Sequence, residues 1–238
     1  NGAGATTQTY AIDNISIRAE SIVGRTNVQV EEPFWFRDEF GEDSIGRYPH
    51  HSIWSISNGT LIRSTGGNFP IWFTNNQISN FDVTFDFKPH LTDGTDNNRK
   101  FWFVFGSNRN KVEGYNYGIR YLLRLSCRTS STSCSLDKFD VTLQPGIHTF
   151  GSTTDILEGQ EGFTSVRILL VNGALSLYIN GVQLGTTYNI GENVVGYIGA
   201  YGWGNTDVYE IDNLQISGTR VYNKPIHRGA MLETYHDG

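Results

Sequence analysis

Three Asn-Gly pairs, Asn58-Gly59, Asn172-Gly173 and Asn180-Gly181, stand among short runs rich in Val, Ile, Leu, Phe and Tyr. Asn-Gly accepts positive φ at both positions, as the two-residue turn of a β-hairpin requires. Trp54-Ser-Ile-Ser-Asn-Gly-Thr-Leu-Ile-Arg therefore reads as a hairpin with Asn58-Gly59 at its tip. Val166-Arg-Ile-Leu-Leu-Val meets Ala174-Leu-Ser-Leu-Tyr-Ile across Asn172-Gly173, and Asn180-Gly181 leads into Val182-Gln-Leu. Phe81-Asp-Val-Thr-Phe-Asp-Phe has period two, with one apolar face. Phe101-Trp-Phe-Val-Phe is apolar on both faces, as in a central strand. Tyr117 to Cys127 and Cys134 to Leu143 form a further pair, and Val208 to Ile216 closes the unit.

Roughly a dozen such strands predict an all-β fold, an antiparallel β-sandwich of the jelly-roll type with an extended N-terminal strand segment. The boundaries read as an extension over 1–32, a jelly roll over 33–218 and a tail over 219–238. With 13% aromatic and 38% hydrophobic residues, the chain has the material for a packed core. The net charge of −6 comes with no basic stripe, so nucleic acid is not an expected partner. No apolar run reaches the roughly 20 residues of a membrane-spanning helix. The chain opens without Met, which reads as processing or excision. Cys127 and Cys134 flank six polar residues, without the His or Cys company of a zinc site. A disulfide is the expectation, and with it an extracellular or cell-surface location. Asn14-Ile-Ser and Asn58-Gly-Thr are also glycosylation sequons.

The order of motifs resembles a known superfamily. Asp38-Glu-Phe, Trp54-Ser-Ile-Ser-Asn-Gly-Thr-Leu, Ala174-Leu-Ser-Leu-Tyr-Ile-Asn-Gly-Val and Ile211-Asp-Asn-Leu are similar to those of the concanavalin A-like lectins and glucanases. Laminin-G-like domains and carbohydrate-binding modules are nearest, over Phe34 to Ser217. That fold serves lectins, hydrolases, lyases and structural modules alike, so it leaves function open.

The closing strand is echoed near the front. Tyr10-Ala-Ile-Asp-Asn-Ile-Ser-Ile matches Tyr209-Glu-Ile-Asp-Asn-Leu-Gln-Ile at five of eight positions. One reading makes the first copy the last strand of a preceding tandem domain. The other makes it a strand donated to a neighbouring subunit through Ile12, Asp13, Asn14, Ile15 and Ile17, with copies of the chain as partners in a fibre or surface polymer. The favoured expectation is thus a non-catalytic extracellular subunit that self-assembles through its N-terminal strand. The alternative is a carbohydrate-binding module of a larger secreted polysaccharide-degrading enzyme.

Glu210-Ile-Asp212-Asn-Leu-Gln215 resembles the carboxylate strand of laminarinase-type hydrolases, but Gln215 stands where a carboxylic acid is needed. No catalytic residues are therefore assigned. Asp38, Glu39 and Asp212 are candidate ligands for a structural Ca²⁺, which the resemblance to carbohydrate-binding modules also implies. For the polysaccharide-binding alternative, Trp203 in its Gly-rich loop is the leading stacking residue, with Tyr201 and Trp72 as companions.

Overall fold

The computed structural model describes residues 16–17, 27–41, 44–64, 66–67, 69–90, 98–110, 121–130, 133–143, 146–153, 162–202 and 208–225. Its strands are β1 (Ser16–Ile17), β2 (Asn27–Asp38), β3 (Trp54–Ser57), β4 (Thr60–Arg63), β5 (Pro70–Trp72), β6 (Gln77–His90), β7 (Asn98–Ser107) and β8 (Tyr121–Ser130). They continue as β9 (Ser133–Leu143), β10 (Gly146–Thr153), β11 (Thr164–Val171), β12 (Ala174–Ile179), β13 (Val182–Asn189), β14 (Tyr197–Gly202) and β15 (Val208–Pro225). A 3₁₀ turn, Ser44–Arg47, stands in the connection after β2. The three Asn-Gly pairs all turn as expected, with φ of 53° and 76°, 50° and 78°, and 48° and 78°.

Among the described residues the strands form two antiparallel sheets. One has nine strands, ordered β1-β2-β15-β6-β11-β12-β13, with β4 joined to β15 and β3 to β4. The other has six, ordered β10-β9-β8-β7-β14-β5. The period-two pattern decides which side chains meet between them. Phe81, Val83, Phe85 and Phe87 of β6 are buried, as are Phe101, Phe103 and Phe105 of β7. Phe85 lies 5.5 Å from Phe101 and Phe87 lies 5.0 Å from it, centroid to centroid. Such contacts add about 0.5–1.5 kcal/mol each beyond the apolar area they bury. Trp54 joins this core and donates its indole N–H to the carbonyl of Phe69 at 3.0 Å.

The long strand β15 holds the larger sheet together. It pairs with β2 without interruption from Leu214↔Asp38 to Pro225↔Asn27, while also pairing with β6 and β4. This ladder runs through the expected boundaries at 32/33 and 218/219, because the backbone groups on either side of each boundary are paired in the same way. The N-terminal strand meets its own chain, with Ser16 opposite Glu31 and Ile17 opposite Val30. Ile12, Asp13, Asn14 and Ile15 lie outside the described residues. In the backbone register Cys127 is opposite Leu136 and Cys134 opposite Thr129, so the two cysteines are not directly paired.

Candidate functional site

Strand β14 lies between β7 and β5, and its alternation splits it between two environments. Ile198 and Ala200 enter the inter-sheet core. Tyr201 points the other way and packs with Trp72, Trp102 and Val104, with Tyr197 and Leu122 against them. The register explains the grouping: Tyr201 is opposite Trp102, and Gly199 is opposite Trp72. A Cβ at Gly199 would lie 2.2 Å from the Ile71 carbonyl oxygen and 3.0 Å from the Trp72 ring. Glycine thus lets the two strands and the indole approach. Two expected sugar-stacking residues, Trp72 and Tyr201, are therefore together on one sheet face. Neither is an open platform, since each is only 1% exposed. Trp203 lies outside the described residues.

Tyr197 connects this aromatic face to a cavity of about 530 Å³. Its ring meets Trp72 edge-on at 6.5 Å and also lines the cavity. Five carboxamides line the same space: Gln29, Asn75, Asn76, Gln77 and Asn223. Tyr222 supplies a second aromatic wall, and none of the described lining residues carries a charge. Several elements converge to build it. Gln29 and Asn223 face each other across the β2–β15 ladder. The backbones of Ile78 and Gly196 exchange hydrogen bonds of 2.8 and 3.1 Å between the two sheets. The Thr74 hydroxyl donates to the Asn76 carbonyl at 2.8 Å, and the Asn75 amide to the Arg47 carbonyl at 3.4 Å. Beside it Arg220 bonds Glu32 and lies 5.0 Å over the Tyr222 ring.

A carboxamide offers both donors and acceptors without charge, so this lining matches the hydroxyl-rich surface of a neutral sugar. The tyrosine rings provide flat apolar walls for its C–H faces. Among the described residues that line it, none is a carboxylate of the kind that glycoside hydrolysis uses.

The acidic candidates lie elsewhere and are divided. Asp38 is buried, and its carboxylate accepts the Phe40 N–H at 2.7 Å and the Tyr48 hydroxyl at 2.6 Å. Glu39 is exposed and pairs with Arg37. Asp212 accepts the Asn213 N–H at 2.7 Å and faces Asp86 across β6. The expected trio thus does not converge, and among the described residues no group of three or more His, Cys, Asp or Glu side chains can hold a metal ion. Burial, and after it the charges of Asp86, Glu39 and Glu210, holds the Asp212 carboxyl above its usual range, against the lowering effect of the Asn213 N–H. A bulge with Asn213 at φ 51° lies between Asp212 and Gln215 and keeps Glu210, Asp212 and Gln215 on the outward face.

No family model and no curated protein matches the sequence. Solved structures do match in shape. The GlcNAcα1-4Gal-releasing endo-β-galactosidase of Clostridium perfringens superposes with a TM-score of 0.52 and 13% identity over 85% of this chain and 65% of its own. A glycosyl hydrolase described as putative from Parabacteroides distasonis gives 0.50 and 14% over 77% and 98%. The carbohydrate-binding module CBM66 of Bacillus subtilis gives 0.48 and 11% over 69% and 91%. The fold is the concanavalin A-like jelly roll. Within this concanavalin A-like sandwich, the sequence signals for the cavity were weak. Asn75-Asn76-Gln77 is a run of three carboxamides opening a strand, and Tyr222-Asn223 follows the expected end of the domain. Only the concanavalin A-like packing of β15 beside β2 and β6 brings them together.

Proposed function

We propose that this chain is a non-catalytic, extracellular carbohydrate-binding module and that the carboxamide- and tyrosine-lined cavity takes a neutral sugar. The uncharged lining beside two aromatic walls carries this reading. The shape likeness to glycan-active jelly rolls agrees with it as fold-level analogy. Self-assembly through the N-terminal strand draws less support, since β1 pairs with β2 of its own chain.

Calorimetric titration with a panel of neutral oligosaccharides tests the reading. At least one should bind, and Tyr222→Ala and Asn223→Ala should each weaken it tenfold or more, about 1.4 kcal/mol. Wild-type protein that binds none at millimolar concentration, or variants that bind as tightly as wild type, would overturn it. Sedimentation of the same protein should show discrete particles rather than fibres.

A further inference from the structure

Trp35 is 69% exposed in the middle of β2. Its neighbours Phe34 and Phe36 pack on the core, so alternation turns the indole outward on the nine-stranded sheet. A single exposed apolar residue is ordinary on a protein surface. The surroundings distinguish this one. Ser217 lies opposite Trp35, and Asp82 lies opposite Ser217, so no bulky side chain stands across from the indole in the next strand.

Beside it runs a straight row of hydrogen-bonding groups. Arg37 is opposite Gln215, Gln215 opposite Thr84, Thr84 opposite Arg167, and Arg167 opposite Tyr178. At the usual strand spacing, four such steps cover about 19 Å. The charges in and beside the row are matched: Arg167 holds Asp82 in a two-point contact of 2.9 and 2.7 Å, and Arg37 holds Glu39. The Arg167 guanidinium also lies 5.2 Å over the Tyr178 ring.

We propose that this strip, centred on Trp35, is a second glycan-binding surface that takes an uncharged polysaccharide chain laid across the strands. The proposal rests on the reading that the protein binds carbohydrate, and it adds a polymer-facing surface separate from the cavity. A protein partner would call for an apolar patch depleted of charge at its centre. Here one indole sits among paired charges and hydrogen-bonding groups instead. Beside the strip the outward carboxylates of Asp86 and Asp212 face each other and Glu210 stands opposite Lys88, so the local balance of charge is negative. An anionic polymer is disfavoured there, and a neutral one is not.

The test is depletion of the full chain from solution by microcrystalline cellulose, chitin and agarose, with soluble carboxymethyl-cellulose as an anionic competitor. Wild type should partition onto at least one neutral polymer, and carboxymethyl-cellulose should compete poorly. Trp35→Ala should lower the partition tenfold or more, and Trp35→Phe should retain most of it. Val182→Ser, altering another exposed apolar residue on the far edge strand β13, should match wild type. If Trp35→Ala partitions like wild type, the strip is wrong and the cavity reading stands. If wild type binds neither polymers nor oligosaccharides, both readings fall. Trp35→Ala that dissociates a wild-type oligomer in sedimentation would assign the face to a second copy and overturn the proposal.

Discussion

The hydroxyl of Tyr48 donates to Oδ2 of Asp38 across 2.6 Å, fastening the turn after the first long strand to that strand's last residue. Asp38 Oδ1 accepts the Phe40 N–H, and the Arg47 guanidinium stands 3.6 Å from Oδ2. Tyr48→Phe would leave a buried carboxylate without one of its donors. A loss of about 1.5–3 kcal/mol is expected, measured by urea unfolding. Burial, and then the bond to Asp38 and its charge, holds the Tyr48 phenol above its usual range. Its proton is thus bound more tightly in the folded state than in the unfolded one. The resulting stability is complete below the unfolded value of about 10 and declines as pH rises above it. Tyr48→Phe should flatten that alkaline slope.

Asp212 has the same sign in the acid range. Its carboxyl is held above its ordinary value, first by burial. The folded state therefore takes up the proton more readily, and stability falls as pH rises from there through the raised value. Asp212→Asn keeps an acceptor for the Asn213 N–H and removes the charge. It should raise the melting temperature at neutral pH, by no more than about 4 °C, and leave it unchanged in strong acid. Differential scanning calorimetry at the two extremes checks this.

Gly173 and Gly181 occupy equivalent turn positions, both at φ 78°. Their surroundings differ. A Cβ on Gly173 would meet the Glu192 carbonyl oxygen at 2.5 Å, whereas Gly181 has nothing within 4 Å. Both alanine variants should lose stability, more than about 1 kcal/mol at Gly173. The excess of Gly173→Ala over Gly181→Ala in urea unfolding measures the clash alone. Equal losses would contradict the close approach.

We propose that Cys127 and Cys134 are bridged, because only six polar residues separate them between two strand-forming runs. Intact mass should rise by two hydrogens on reduction. Two thiols that alkylate freely in native protein would contradict it.

The sequence by itself determined the local architecture. Asn-Gly pairs permit few turns other than the tight one they form. Phe81 to Phe87 must place its aromatics on one side of an extended strand, whatever surrounds it. The same rule turns Trp35 outward between Phe34 and Phe36. Trp72, Tyr201 and Asp38 show where local reasoning stopped. Whether an aromatic ring is a platform or packing, and whether a carboxylate is a ligand or a hydrogen-bond acceptor, depends on what another strand places against it. Tyr48 takes Asp38, and Trp102 lies opposite Tyr201. The cavity joins Gln29 to Asn223, almost the whole chain apart, with Asn75 and Tyr197 from between them. Hydrogen-bond register over that separation is a property of the assembled sheets, so only the tertiary structure could decide it.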